Sequence, residues 1–368
     1  MHLILAINPG STSTKIGLFK EEQPVFMQTI EHDPAILANF DSIPAQKEFR
    51  YKLVIKTLLD NGYKPSQLSA VVGRGGLLPT INSGGYIVND KLTSWVSYEL
   101  GGSHASNLGS LLAELVAKEA GCKAFIYDAV SAGRLPDIAK ITGFAKIKRK
   151  SLSHVLNSRA QSIEYATKIG KSFEDLNVII IHLGGGISLS VYEKGVLKDS
   201  VGDDWGPFSP ERSGGAALMD FVDVFYESGM PKSDLKKHIR GAGGVFAHLN
   251  TTDIRKVEKM IAKGDEKAKN VLHAMCYNIA KAAGGLATTL NGNVDVIIIT
   301  GGIARSGMVC KLISERLSFI SHIEIMPGEY ELEALAYGGL RMLKGTEIIN
   351  EIAEIIDGVA VTQEIKLP

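Results

Sequence analysis

The chain has 368 residues, with 40 Lys or Arg balanced by 40 Asp or Glu. That length suggests two domains, each able to bury its own core, and the zero net charge excludes a global field for holding a polyanion such as DNA, so any anion site is local. Cys122, Cys276 and Cys310 are odd in number and have no pairing by spacing, which argues against a disulfide framework or a zinc site and suits a reducing cytoplasm. No apolar run approaches the ~18 residues of a membrane span, and the first residues lack the layout of a secretion signal, so a soluble protein is expected.

Taken in chain order, residues 3–7 form an apolar run, Asn8-Pro9-Gly10-Ser11-Thr12-Ser13-Thr14 is turn chemistry, and residues 15–19 alternate, which together predict a hairpin. Helical periodicity covers about residues 49–61 and 106–119, and the run Ala124-Phe125-Ile126-Tyr127 reads as a strand ending at Asp128. The cluster Lys146-Ile147-Lys148-Arg149-Lys150 is the main composition shift and is taken as a domain boundary, giving a first domain over 1–148 and a second over 149–368. A helix follows at about 158–169. The hairpin device then recurs: a run over 178–183, Gly184-Gly185-Gly186, a second run over 187–192, and another turn before Val196-Leu197. Further helices are predicted at about 216–228 and 267–290. A third strand-to-glycine passage, 294–300 into Gly301-Gly302-Ile303-Ala304, leads to a helix at about 306–316, and a last helical stretch runs over 331–343. The segment 330–368 is expected to be helical and to pack back on the first domain. Strands alternating with helices define an α/β fold.

Glycine makes up 39 of the 368 residues, about a tenth against a usual share of about 7 %. Glycine turns after strands let backbone N–H groups approach an anion closely. Two familiar phosphate motifs are absent. Gly170-Lys171-Ser172 has the ending of a P-loop, but Tyr165 stands where its first glycine belongs, and Leu189 occupies the third glycine position of a dinucleotide fingerprint. A glycine turn joining strand to strand, twice in one chain, is similar to the actin, Hsp70 and sugar-kinase superfold, in which two duplicated ribonuclease H-like domains flank a nucleotide cleft.

Five ordered motifs sharpen this: Asn8 to Lys15; His182-Leu183-Gly184-Gly185-Gly186; Ser209-Pro210-Glu211-Arg212-Ser213-Gly214; Thr251-Thr252-Asp253-Ile254-Arg255; and Thr300-Gly301-Gly302-Ile303. Together they resemble the acetate and butyrate kinase (acetokinase) family. The resemblance implies reversible transfer of the ATP γ-phosphoryl group to a short-chain carboxylate, giving an acyl phosphate and ADP, with Mg²⁺ as cofactor, a cytoplasmic setting and a homo-oligomer. Two departures from the acetate members, Lys150 in place of a histidine and Gly185 in place of an asparagine, fit the butyrate members and imply butyrate or a related short or branched acid. Acetate or propionate as substrate, or a regulator that hydrolyses ATP without transfer, are the alternatives.

The site residues follow from that resemblance. Arg74 and Arg212 match the family's two active-site arginines, whose planar forks suit a crowd of phosphate and carboxylate oxygens. Asp128 matches the active-site aspartate, Lys150 is a cation that would take over phosphoryl stabilisation, and His154 and His182 are expected to hydrogen-bond, because an ionised carboxylate nucleophile has no proton to give up. Asn8, Ser11, Ser13 and Lys15 would meet phosphate and metal-bound water from the first turn, and Gly184, Gly185 and Gly186 would do so from the second. Glu331 matches the family's magnesium-associated glutamate, with Asn8 the other metal residue, although Glu329 and Glu333 are near it in sequence. Asp253 and Arg255 match a nucleoside contact, with Asp253 equally suited to cap the following helix, and Gly301, Gly302 and Ile303 match the turn under the base.

Overall fold

The computed structural model describes residues 1–151, 153–202 and 205–367. Leu152, two residues before His154, lies outside them. The strands are β1 Leu3–Pro9, β2 Ser13–Lys20, β3 Gln23–Glu31, β4 Ala70–Arg74, β5 Gly85–Ile87, β6 Lys123–Tyr127, β7 Asn177–Leu183, β8 Ile187–Glu193, β9 Val196–Val201, β10 Val296–Gly301, β11 Ile323–Pro327, β12 Ile349–Ile356 and β13 Val359–Ile365.

The chain divides into two units, one comprising Met1–Arg134 with Tyr330–Pro368 and the other Leu135–Glu329. The basic cluster does not mark the division. Leu135, and Ala139 beside it, already pack in the second core with Tyr165, Val178 and Ile180. Helix covers only Glu331–Leu343 of the last segment, and β12 and β13 pair antiparallel after it.

The first unit carries one sheet of order β13-β12-β5-β6-β4-β1-β2-β3. Within it β1, β2 and β3 are an antiparallel meander, while β1, β4 and β6 run parallel. Consecutive residues of β4 face opposite sides of the sheet, as the period of two demands. A Cβ at Gly73 would collide with Gly109 of the helix Leu108–Ala120, and one at Gly339 of the helix Glu331–Leu343 would collide with the side chain of Val72. One helix therefore covers each face.

The second unit repeats the plan. Its sheet has the order β11-β10-β7-β8-β9, with β7, β8 and β9 an antiparallel meander and β7, β10 and β11 parallel. The long helix Glu266–Ala287 buries Leu272, Met275, Ile279 and Ala283 against one face. The helix Val155–Lys168 contributes Tyr165 and Ala166 to the core on β7 and β10 residues of alternate phase, Val178, Ile180 and Ile298. No described helix is long and apolar enough to cross a membrane.

Candidate active site

In the first unit, the turn between β1 and β2 leaves Ser11 and Lys15 exposed and Ser13 partly so. Asn8 and Lys15 oppose each other directly in the antiparallel register, so their side chains emerge on one face of the hairpin. Asn8 is nearly buried, and its Nδ2 donates to Glu331 Oε2 at 2.5 Å. Arg74, at the end of β4, makes an ion pair from Nη1 to Glu331 Oε1 at 2.8 Å and reaches Asn8 Oδ1 at 3.4 Å. The structure thus brings Asn8, Arg74 and Glu331 together, from a strand end, a parallel strand end and a helix start. Asp128 follows β6 at φ 41°, a left-handed conformation that costs a non-glycine residue about 1 kcal/mol or more. Gly84 holds it there: its N–H donates to Asp128 Oδ1 at 2.8 Å and its carbonyl accepts from Asp128 N at 3.1 Å. The preceding Tyr127 anchors the strand end by donating its hydroxyl to Glu347, which also accepts from Arg341 Nε at 2.7 Å.

In the second unit, the imidazoles of His154 and His182 stack at 3.9 Å between centroids and 11° between planes. Each is held by a different neighbour. His154 Nδ1 meets Ser188 Oγ at 2.8 Å, and Asn157 Nδ2 donates to His182 Nδ1 at 3.0 Å. An accepting Nδ1 leaves the His182 proton on Nε2, which points to Glu329 Oε1 at 3.6 Å. The triple-glycine turn lies directly against these groups. A Cβ at Gly184 would sit 3.1 Å from His182 Nε2, one at Gly185 would sit 3.2 Å from Glu211 Oε1, and one at Gly186 would sit 2.3 Å from Arg212 Nη1. Ser209 Oγ donates to Gly185 O at 2.6 Å and ties this turn to the segment bearing Arg212. The absence of side chains here lets an arginine fork lie on bare backbone.

Next to this turn, a cleft of about 600 Å³ is lined by Gly184, Gly185, Asp253, Arg255, Gly302 and Ile303, with Glu258 and Ser306. Gly301 crosses close under β7: its φ is +92°, and a Cβ would lie 2.4 Å from Leu183 O. Asp253 is a helix cap in this structure. Its Oδ1 accepts from Arg255 N at 3.0 Å, and its carboxylate also pairs with the Arg255 guanidinium through Nε at 2.9 Å and Nη2 at 3.0 Å. That pairing holds the Asp253 carboxyl below its usual range.

Lys150 is exposed. Its neighbour Arg149 turns inward. It binds Asp199 Oδ1 at 2.6 Å and Ser200 O at 2.7 Å, and lies 5.6 Å from the Trp205 ring centroid. A run of basic residues in sequence does not say which cation turns inward. Asn157, Ser188 and Glu211 were not anticipated. Asn157 lies three residues after His154 at the start of a helix, and Ser188 is the register partner of His182, so both follow once the elements are known.

The fold is the one seen in solved acetate and propionate kinases. Acetate kinase from Porphyromonas gingivalis superposes with a TM-score of 0.75 at 17 % identity, covering 91 % of this chain and 98 % of that one. A propionate kinase from Francisella tularensis gives 0.73 at 18 % identity, covering 92 % and 99 %. The acetokinase family profile matches residues 152–333. The protein named butyrate kinase 1 from Clostridium acetobutylicum is 42 % identical over 353 residues, 95 % of this chain and 99 % of the relative. The chain belongs to the acetokinase family.

Proposed function

We propose that this protein phosphorylates butyrate, or a closely related short or branched carboxylate, with ATP, and that the reaction runs reversibly through an acyl phosphate. The observation that carries the reading is full-length similarity to a butyrate kinase at 42 % identity, joined to an arginine lying on a glycine turn beside a stacked histidine pair.

In this reading the carboxylate oxygen attacks the γ-phosphorus while the bond to the β-phosphate oxygen breaks. Crowding anionic groups requires fixed cations, because their field is already in place when charge redistributes. Arg212 and Arg74 serve as those cations, with Lys150 as a more mobile third. His182, protonated at Nε2, donates a hydrogen bond to a phosphoryl oxygen, and His154 keeps that ring in place by stacking. Asp128 orients the substrate side. Asn8, Ser11, Ser13 and Lys15, with Gly184, Gly185 and Gly186, hold phosphates. The cleft by Asp253, Arg255, Gly301, Gly302 and Ile303 receives the nucleoside.

Asn8 Oδ1 and the Glu331 carboxylate are hard oxygen donors, which suits Mg²⁺, an ion that keeps much of its water and takes one or two protein oxygens plus substrate phosphates. When bound it supplies charge neutralisation between phosphate oxygens. The reading also includes a cytoplasmic setting and assembly as a homo-oligomer. The latter is supported by the helix Leu218–Ser228, which buries none of its residues and leaves Leu218, Met219 and Tyr226 more than 70 % exposed.

The test incubates the protein with ATP, Mg²⁺, hydroxylamine and a series of acids from acetate to valerate, including isobutyrate. The highest kcat/KM is expected for butyrate or isobutyrate. Acetate in first place would remove the acyl preference, and no hydroxamate from any acid would remove the kinase reading.

A further inference from the structure

Arg50, on the helix Lys47–Asp60, is 1 % exposed. Among the described residues, every hydrogen bond it makes goes to an uncharged oxygen. Nη1 donates to Gly10 O at 2.8 Å, Ser13 O at 3.0 Å and Thr14 Oγ1 at 3.2 Å. Nη2 donates to Ser11 O at 3.0 Å and Gln46 Oε1 at 2.7 Å, and Nε to Gln46 Oε1 at 3.0 Å. The remaining carbonyl of the turn, Thr12 O, accepts from His32 N at 2.8 Å.

In a trans peptide the C=O of one residue and the N–H of the next point in opposite directions. Drawing the Gly10 and Ser11 carbonyls onto Arg50 therefore turns the Ser11 and Thr12 amides away from it. Both residues are exposed, and among the described residues neither amide has an acceptor. Successive outward amides form an anion-binding concavity, and here a buried cation lies behind it.

We infer that Arg50 is a positioning residue for the nucleotide's phosphate chain: it sets the direction of the Ser11 and Thr12 amides and lends the turn a positive potential that no acceptor around it cancels. The inference rests on the proposed role of this turn as a phosphate contact. A buried cation held only by neutral oxygens is costly, and an anion bound across the turn offsets that cost. Arg50 carries its charge at neutral pH, and the imidazole beside it does not. His32, whose Nε2 meets Thr14 Oγ1 at 2.8 Å, has its pKa pushed down to about 4 by burial and by Arg50, so it is neutral at pH 7. Burial lowers Arg50 only to about 10.

Two variants separate direction from charge. Arg50→Lys keeps the charge and loses the fork; Gln46→Glu keeps the fork and sets a carboxylate against it. Calorimetry with Mg²⁺ measures binding of AMP-PNP, a non-hydrolysable ATP analogue, and of AMP. In both variants the AMP-PNP dissociation constant is expected to rise about tenfold, in Arg50→Lys because the carbonyls held by the fork are released and the amides lose their direction, and in Gln46→Glu because the added carboxylate cancels the buried charge. The AMP constant and the KM for butyrate are expected to stay within about twofold of wild type. A role confined to stability would lower the melting temperature and leave the AMP-PNP to AMP ratio unchanged. That ratio staying within twofold of wild type in folded Gln46→Glu overturns the inference even if Arg50→Lys fails to fold. Wild-type protein binding AMP-PNP no better than AMP would instead overturn the phosphate role of the turn, and the inference with it. The binding comparison is independent of which acid, if any, is phosphorylated.

Discussion

Gly186→Ala tests the placement of Arg212 with little disturbance to the fold. The glycine has no left-handed φ, so alanine is compatible with its backbone. Its Cβ, however, would lie 2.3 Å from Arg212 Nη1, 2.6 Å from Cζ and 3.1 Å from Nε. Non-bonded contact needs about 3.5 Å, so the guanidinium must retreat by about 1 Å or more. The guanidinium is the far end of a flexible side chain, 23 % exposed, so the adjustment falls on the side chain rather than on backbone. A displacement of about 1 Å at a reacting centre costs on the order of 100-fold in rate, or about 2.7 kcal/mol. The expected result is a loss of about 100-fold in kcat/KM for acyl phosphate formation by the hydroxamate assay, with a melting temperature within a few degrees of wild type. Gly185→Ala, whose Cβ meets the Glu211 carboxylate at 3.2 Å, is expected to be milder. Activity of Gly186→Ala within threefold of wild type would show that Arg212 does not act from this position.

At Gly301 the same substitution has a different outcome. Its φ of +92° is strained for alanine, and the obstacle, Leu183 O at 2.4 Å, is backbone, so Gly301→Ala is expected to lose several kcal/mol of stability in urea unfolding; an unchanged midpoint would refute this. His32 gives a pH dependence. Its folded pKa is about 4, below the unfolded value of 6.5, so the unfolded state binds more protons between the two. Its contribution is complete above pH 6.5 and is lost as pH falls towards 4, at up to about 1.4 kcal/mol per pH unit. His32→Gln is expected to flatten that part of the stability profile, and an equally steep loss in the variant would assign it to other groups.

Much of the fold is local and was therefore readable. The two hairpins announce themselves by alternation broken at glycine, and the helix predicted over 331–343 is observed as Glu331–Leu343. β3 carries no such signal: it is an edge strand whose residues are almost all exposed, so neither of its faces demands a hydrophobic pattern. β12 and β13 are likewise half-solvated, which is why residues beyond 343 were expected to be helical. In the candidate site, residues carried by motifs were legible, whereas those that hold them were not. Arg50 reaches a turn nearly forty positions earlier, and no local pattern ties a helix residue to carbonyls that far away. The Asp253–Arg255 pair was half readable: a capping aspartate is a local feature, but whether its carboxylate turns to a neighbour or a ligand is not.

The return of Tyr330–Pro368 to the first unit sets an order of events during translation. The second unit is continuous in sequence and can complete itself as it leaves the ribosome. The first cannot: the helix Glu331–Leu343 that closes one side of its sheet is made only after all of Leu135–Glu329. At about 5–20 residues per second, roughly ten to forty seconds separate the two parts. During that interval Val72 and its neighbours on the uncovered side are without their partner, so the nascent amino-terminal portion is the stretch with most to gain from a chaperone.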